Sequence, residues 1–159
     1  MESLLLSISV PLALGFAVSM KSRTVDNKWW DGLNKPFFTP PKWCFKFVWA
    51  FLYITMGWGA HLVAMAAKGN PDRAFRDYAQ NALIMYWIQF IVSSAWAPLF
   101  FKAHKVGLAW GSNVLTSILI GMTVNQFADI SPNAALLMTP YLVWVVVSGF
   151  INLYIVIYN

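Results

Sequence analysis

Three tryptophans lie deep inside uncharged stretches of the chain, where an indole ring could stack on a flat ligand. They are Trp49, Trp96 and Trp144, and each has small or weakly polar neighbours at helical spacing. Indole faces pack on aromatic rings, and a few hydroxyl or amide groups can orient a bound molecule. Helix–helix packing explains the same residue types. On residue types alone, a ligand pocket and plain packing are equally good interpretations of the three indoles.

The residues around these tryptophans form stripes on four helices. In lipid, polar side chains face other helices or a cavity, so such a stripe indicates the inner face of a helix. The four stripes are Tyr86, Gln89, Ser93 and Trp96; Trp49, Tyr53 and Gly57; Trp144, Ser148 and Asn152; and Asn113, Ser117 and Gly121. Close packing accounts for the last stripe and for Gly57. The others predict a pocket for a flat, apolar, polycyclic ligand such as a tetrapyrrole or a sterol.

Conventional enzyme signatures are absent from the sequence. It has no intramembrane pair of carboxylates, no Ser/His/Asp set, no phosphate-binding loop and no metal-ligand spacing. His61 could ligate a haem iron, but a hydrogen-bonded histidine near the membrane interface is the favoured interpretation. We therefore predict no metal site and no required cofactor. Any chemistry must use the tryptophans themselves.

The composition predicts that these helices lie in a membrane. Of the 159 residues, 59% are hydrophobic and only 11% are charged, against about 25% charged in ordinary soluble domains. Charge-free stretches recur that are long enough for a helix to cross the roughly 30 Å hydrocarbon core. They predict one all-α domain over residues 1–159, an integral membrane bundle of five transmembrane helices at about 4–20, 43–67, 78–101, 106–128 and 132–157.

The positions of the charges predict an orientation. Most basic residues fall on the side of the first loop: Lys21, Arg23, Lys28, Lys35, Lys42, Lys46, Lys102 and Lys105. The opposite side has Lys68, Arg73 and Arg76. By the positive-inside rule, the first loop and the C-terminus face the cytosol. The net charge of +5 is therefore an orientation signal, and nucleic-acid binding is a poor explanation for it.

The first loop, at about 21–42, combines aromatic surface with a restricted backbone. Its aromatic and proline residues include Trp29, Pro36, Phe37, Phe38, Pro40 and Pro41. Because the prolines restrict the backbone, the aromatic side chains can pack down as an apolar lid over the pocket. A loop that simply lies in the membrane interface is the alternative. The basic charge of this loop would attract a ligand with carboxylates, such as a porphyrin.

An ordered set of motifs along nearly the whole chain resembles the translocator protein family (TspO/MBR, the peripheral benzodiazepine receptor family). The first loop reads WWDGLNKPFFTPPKW, and VWAFLYITMGWG, WAPLFF, ISPNAALLMTPYLVW and Asn152 follow in order. A lone Pro-Pro-x-Trp is weak evidence, whereas the ordered set is specific. The resemblance implies a five-helix bundle whose first loop folds over the mouth of a ligand pocket.

The resemblance also implies ligands and site residues. Family members bind porphyrins such as protoporphyrin IX, cholesterol in animals, and synthetic drugs, and some degrade protoporphyrin in light. The tryptophans implied in that photochemistry match Trp49 and Trp144. With the stripes included, the predicted ligand contacts are Trp30, Trp49, Tyr53, Gln89, Ser93, Trp96, Trp144 and Ser148.

Several positions depart from the family pattern. Ser93 replaces a common Asn, Trp30 a Tyr, Phe38 a Trp, and Ser148 an Ala whose site packs against drugs. The C-terminal NLYIVIYN lacks the basic residue of the cholesterol motif, so sterol binding of that kind is not predicted.

The expected function is a membrane receptor for porphyrins and other flat apolar ligands, with light-dependent porphyrin degradation as an added activity. Transport of a porphyrin or sterol across or between membranes is the main alternative, and a scaffold role through partner proteins is another. Formation of a homodimer stays open, with Gly107 and Gly111 as the GxxxG contact. A eukaryotic source would place the protein in the mitochondrial outer membrane, and a bacterial source in the cell envelope.

Overall fold

The computed structural model describes residues 2–22 and 28–159. Arg23, which belongs to the predicted basic loop, lies outside the described residues. All regular structure in the described part of the chain is helical. The segments are α1 (Glu2–Ser22), α2 (Lys28–Asp31), α3 (Lys42–Gly69), α4 (Arg73–Ser94), a π-helical turn (Pro98–Lys102), α5 (Val106–Ile130) and α6 (Pro132–Tyr158).

Five of these elements are long and apolar enough to cross a membrane. They are α1, α3, α4 continued through the π-helical turn, α5 and α6. In lipid, a helix satisfies its backbone polar groups internally, so uncharged stretches of this length have no other stable form. The predicted five-helix membrane bundle is confirmed.

The third span is interrupted rather than continuous. Helix α4 ends at Ser94, and the chain enters a π-helical turn at Pro98. Proline has no N–H to donate to the preceding turn, and the chain widens here so that the Ala103 N–H reaches the Pro98 carbonyl at 3.0 Å. This turn presents Phe100 and Phe101 next to each other, with ring centroids 4.9 Å apart.

The helices pack around α3 and α5. Helix α5 lies between α4 and α6, while α3 contacts α1, α4 and α6. The fully buried side chains between them include Leu52, Met56, Tyr86, Phe127, Met138 and Tyr141. Helix α1 is peripheral, since its main contacts are with α3 and the π-helical turn.

Two glycines allow α1 to approach α3. A methyl group added at Gly57 would collide with the Ser7 carbonyl oxygen and lie 2.9 Å from Ile8 Cα. At the other end of the contact, Gly15 lies directly against the ring of Tyr53. Small residues permit this close approach of helix backbones in membranes. Gly57 therefore serves helix packing, as the sequence suggested.

Gly121 does not have the packing role that its stripe suggested. A methyl group added there would meet no atom within 4 Å. The buried face of α5 instead carries Asn113, Thr116, Ile120 and Thr123. Spacing by four residues drifts off a helix face after two turns, because a turn contains 3.6 residues.

Replacing Gly57 by alanine should weaken the packing of α1 on α3. The added methyl meets rigid backbone, and overpacking of this kind costs about 1–3 kcal/mol. We expect a lower melting temperature in detergent for Gly57→Ala. Gly121→Ala is the matched control and should melt at or above the temperature of the unmodified protein, since alanine favours helix. Equal melting of the two variants would contradict the close contact.

Candidate functional site

A cavity of about 1030 Å³ lies between α1, α3 and α4, on the side of the first loop. Its wall is mainly aromatic and aliphatic, and α3 supplies one long stripe of it. Cavity-lining residues include Phe16 and Met20 of α1, Phe45, Trp49 and Tyr53 of α3, and Phe90 and Trp96 beyond them. A concave apolar space with a few polar groups is the usual form of a small-molecule site.

Five of the predicted ligand contacts lie on the wall of this cavity. They are Trp30, Trp49, Tyr53, Ser93 and Trp96. The rings of Trp49 and Tyr53 stack with centroids 5.6 Å apart and planes at 30°. The two residues are one turn of α3 apart, so both rings lie on the side of the helix that faces the cavity.

Tyr141 fixes the polar part of the wall. Its hydroxyl donates a hydrogen bond of 2.6 Å to the Ser93 hydroxyl oxygen, and its ring packs edge-on against Trp49 at 6.2 Å. Sequence reasoning missed Tyr141, although it lies three residues before Trp144 and therefore on a neighbouring part of the same helix face. Because Ser93 accepts from Tyr141, its own hydroxyl proton remains for a bound molecule.

The other three predicted contacts do not line this cavity. Gln89 is fully buried, and its amide atoms have no hydrogen-bond partner within the described residues. Trp144 packs edge-on against Phe45, with ring centroids 5.7 Å apart. The Ser148 hydroxyl donates to the Val145 carbonyl at 2.9 Å, within its own helix. Trp144 thus adjoins the site through Phe45, which lines the cavity.

Trp30 closes the cavity from the side of the loop. It lies on the short helix α2 and is only 8% exposed. Its indole packs against the rings of Phe45, Phe100 and Phe101, at centroid distances of 6.4, 5.8 and 5.8 Å. The first loop therefore covers the cavity mainly through this single buried side chain.

Polar contacts hold the loop around Trp30. The Lys35 ammonium donates to the carbonyls of Trp30 and Leu33 at 2.6 and 2.9 Å, which satisfies the C-terminal end of α2. The Lys42 ammonium donates to the Asp31 carboxylate at 2.7 Å. This ion pair joins the end of α2 to the start of α3.

The loop is also attached to two other parts of the chain. The Asn34 N–H donates to the side-chain oxygen of Asn159 at 2.8 Å, and the Asn159 amide donates back to the Asn34 carbonyl at 3.1 Å. Trp29 stacks on His104, in the connection before α5, with ring centroids 4.2 Å apart. His104 has a positive φ of 52°, a conformation that few residue types adopt readily.

Phe37 and Phe38 differ from the expected apolar lid. They occupy the two central positions of a turn in which Thr39 bonds the Pro36 carbonyl through its N–H at 3.0 Å and its hydroxyl at 2.7 Å. The turn directs both rings outward, so Phe37 is 100% exposed and Phe38 is 46% exposed. The predicted lid residue Pro36 is buried, whereas this aromatic tip fits the alternative of a loop that touches the membrane interface.

The remaining three lid residues differ in burial. Trp29 and Pro40 are half-buried, and Pro41 is exposed directly before the first residue of α3. None of the three lines the cavity.

The fold and the cavity define an integral membrane protein with five spanning helices and an aromatic pocket under its first loop. A family model described as TspO/MBR matches residues 7–158. The chain therefore belongs to the TspO/MBR family.

Similar proteins come from animals and bacteria. The "Translocator protein" of Ovis aries is 33% identical over 143 residues, covering 90% of this chain and 82% of its own length. The "Tryptophan-rich protein TspO" of Chlorobaculum tepidum is 31% identical over 151 residues, covering 94% and 91%. The "Tryptophan-rich sensory protein" of Cereibacter sphaeroides is 28% identical over 126 residues, covering 79% and 73%.

Removing the Trp30 side chain should release the first loop. Truncating a buried tryptophan costs about 3–5 kcal/mol, so we expect faster amide hydrogen exchange across residues 28–35 in Trp30→Ala. Phe37→Ala is the matched control, because this ring is fully exposed, and its exchange should stay at the original rate. If the two variants exchange alike, Trp30 does not anchor the loop.

Proposed function

We propose that this protein binds porphyrins of the protoporphyrin IX type, and other flat apolar ligands, in the cavity under its first loop. The observation that carries the proposal is the stacked pair of Trp49 and Tyr53 on the wall of a cavity of about 1030 Å³. Flat aromatic molecules gain from contact with such faces beyond the area that they bury. The volume is at the upper end of the usual range for small-molecule pockets, roughly 300–1,000 Å³.

The two tryptophans expected to act in photochemistry have different positions in this proposal. Trp49 lines the cavity and contacts the ligand directly. Trp144 lies behind Phe45 and supports that ring from outside the cavity. Ser93, held by Tyr141, offers the hydroxyl that orients a polar group of the ligand. We therefore expect Trp49 to dominate ligand affinity.

Replacing Trp49 by alanine should weaken protoporphyrin IX binding about tenfold, since loss of a stacked ring is worth about 0.5–1.5 kcal/mol beyond its buried area. The measurement is a titration of the purified protein with porphyrin in the dark. Binding is monitored by the quenching of tryptophan fluorescence and by the porphyrin absorbance band. Trp43→Ala is the matched control, because Trp43 is exposed and outside the cavity lining. Binding that is not saturable, or equally weakened by both changes, would contradict the site.

The same samples test the light-dependent activity. A photoexcited porphyrin stacked on Trp49 can take one electron from the indole, and the resulting porphyrin radical anion can pass that electron to dioxygen in the buffer. This leaves an indole radical cation and superoxide, whose attack on the macrocycle would bleach it. We expect porphyrin absorbance to fall under illumination, and to fall more slowly in Trp49→Phe at saturating porphyrin. Equal bleaching with and without the protein would leave binding as the whole function.

The proposed orientation places the first loop and the C-terminus in the cytosol. It rests on the excess of basic residues on that side, and the contacts between Asn34 and Asn159 bring the loop and the last residue together. The proposed location is the mitochondrial outer membrane in a eukaryote, or the cell envelope in a bacterium.

Labelling of a single cysteine tests this orientation. Phe37→Cys in a Cys44→Ser background puts one thiol at a fully exposed position of the first loop. In intact cells of a bacterial expression host, we expect a membrane-impermeant maleimide to label this cysteine only after the inner membrane is permeabilised. A cysteine in place of Asn70, in the opposite connection, is the matched control and should label without permeabilisation. The reverse pattern would invert the orientation.

A further inference from the structure

Two lysines lie at the cavity mouth, and they differ in whether their charge is paired. Lys42 and Lys46 both line the cavity. The Lys42 ammonium is neutralised by the Asp31 carboxylate at 2.7 Å. Lys46 is exposed and has no acidic partner among the side chains of residues 4–22 and 28–159. Asp31 is the single acidic side chain that this described part of the chain places on the first-loop side of the bundle.

We propose that Lys46 binds a carboxylate of the ligand, so that the site selects flat apolar molecules with an anionic group at one edge. This inference rests on the proposed function and names the chemical group by which the cavity distinguishes its ligands. Lys46 lies in the second turn of α3 and lines the cavity near its mouth, where a cation can meet an anionic group of a bound molecule. In this protein the counter-charge comes from the ligand.

The register of α3 supports this assignment. Lys46, Trp49, Ala50 and Tyr53 all line the cavity and follow the spacing i, i+3, i+4 and i+7, which is one helix face. At 1.5 Å of rise per residue, Lys46 lies about 4–5 Å from Trp49 along the helix axis, toward the first loop. A ring stacked on Trp49 and Tyr53 would thus present its near edge to Lys46.

The side chain of Lys46 suits this contact. The aliphatic stem of a lysine can lie against an apolar wall while the ammonium stays at the wet edge. A carboxylate at the same edge keeps its own charge partly hydrated, so the pair does not need full burial, which would be costly. Lys42 is less suited to bind the ligand carboxylate, because its ammonium already forms an ion pair with the Asp31 carboxylate.

A comparison of two ligands isolates the charge. Protoporphyrin IX and its dimethyl ester share a macrocycle and differ in their two carboxylates. In nanodiscs of phosphatidylcholine, Lys46→Met should weaken binding of the diacid several-fold, because it removes the cation at the cavity mouth that has no acidic partner among the described residues. The ester affinity should stay unchanged, and Lys46→Arg should keep the original ratio of diacid to ester affinity.

Two further variants serve as controls. Lys102→Met removes a cation on the same side of the bundle but outside the cavity lining, and the affinity ratio should not change. Asp31→Asn frees the Lys42 ammonium, so the ratio should rise in favour of the diacid. Taking the ratio removes any effect of these changes on the position of the loop, because that effect acts on both ligands.

The outcomes distinguish a failure of the carboxylate contact from a failure of the proposed binding function. If neither ligand binds the unmodified protein in a saturable way, the proposed function is wrong. If both bind and Lys46→Met leaves the ratio unchanged, the carboxylate contact is wrong while the binding function stands. If Lys46→Met leaves the ratio unchanged in these nanodiscs but lowers the amount of phosphatidylglycerol that co-purifies with the protein from cell membranes, the lysine binds a lipid phosphate and the proposal is wrong.

Discussion

The burial of Trp30 among three phenylalanine rings is the contact on which the closed cavity depends. Phe45 comes from the first turn of α3, while Phe100 and Phe101 come from the π-helical turn. That turn exists because Pro98 cannot continue the hydrogen bonding of α4. The wider turn brings two consecutive rings toward one indole. The break in the third span thus forms the aromatic site against which Trp30 of the first loop packs.

The polar contacts of the loop have a different role from this aromatic one. The ion pair of Asp31 with Lys42 is about half exposed, at 58% and 41% for the two side chains. Pairs of this kind contribute about 0–1 kcal/mol, well below the value of a buried indole. The ion pair and the Lys35 hydrogen bonds therefore orient α2, while the burial of Trp30 holds it.

The helices could be predicted from the sequence. Which of their inward-facing residues line the cavity, and which do not, could not be predicted. Charge-free length identifies the spans, and spacing correctly placed Trp49 and Tyr53 together on the cavity wall. Gln89 is buried and Ser148 is half-buried, but neither lines the cavity. An inward-facing side chain in a bundle can line a cavity or pack against another helix, and helix periodicity does not distinguish these two cases. The outward rings of Phe37 and Phe38 depend on one turn, whose geometry the aromatic composition does not encode.

The peripheral position of α1 has a consequence for energetics. One face of this helix forms the cavity wall through Phe16 and Met20, which are also 67% and 65% exposed at the bundle surface. Lipid tails therefore contact the same helix that forms part of the cavity wall. A mismatch between helix length and bilayer thickness costs fractions of a kcal/mol per ångström and is relieved by tilting. Under the proposed binding function, ligand affinity and bilayer thickness are thermodynamically linked.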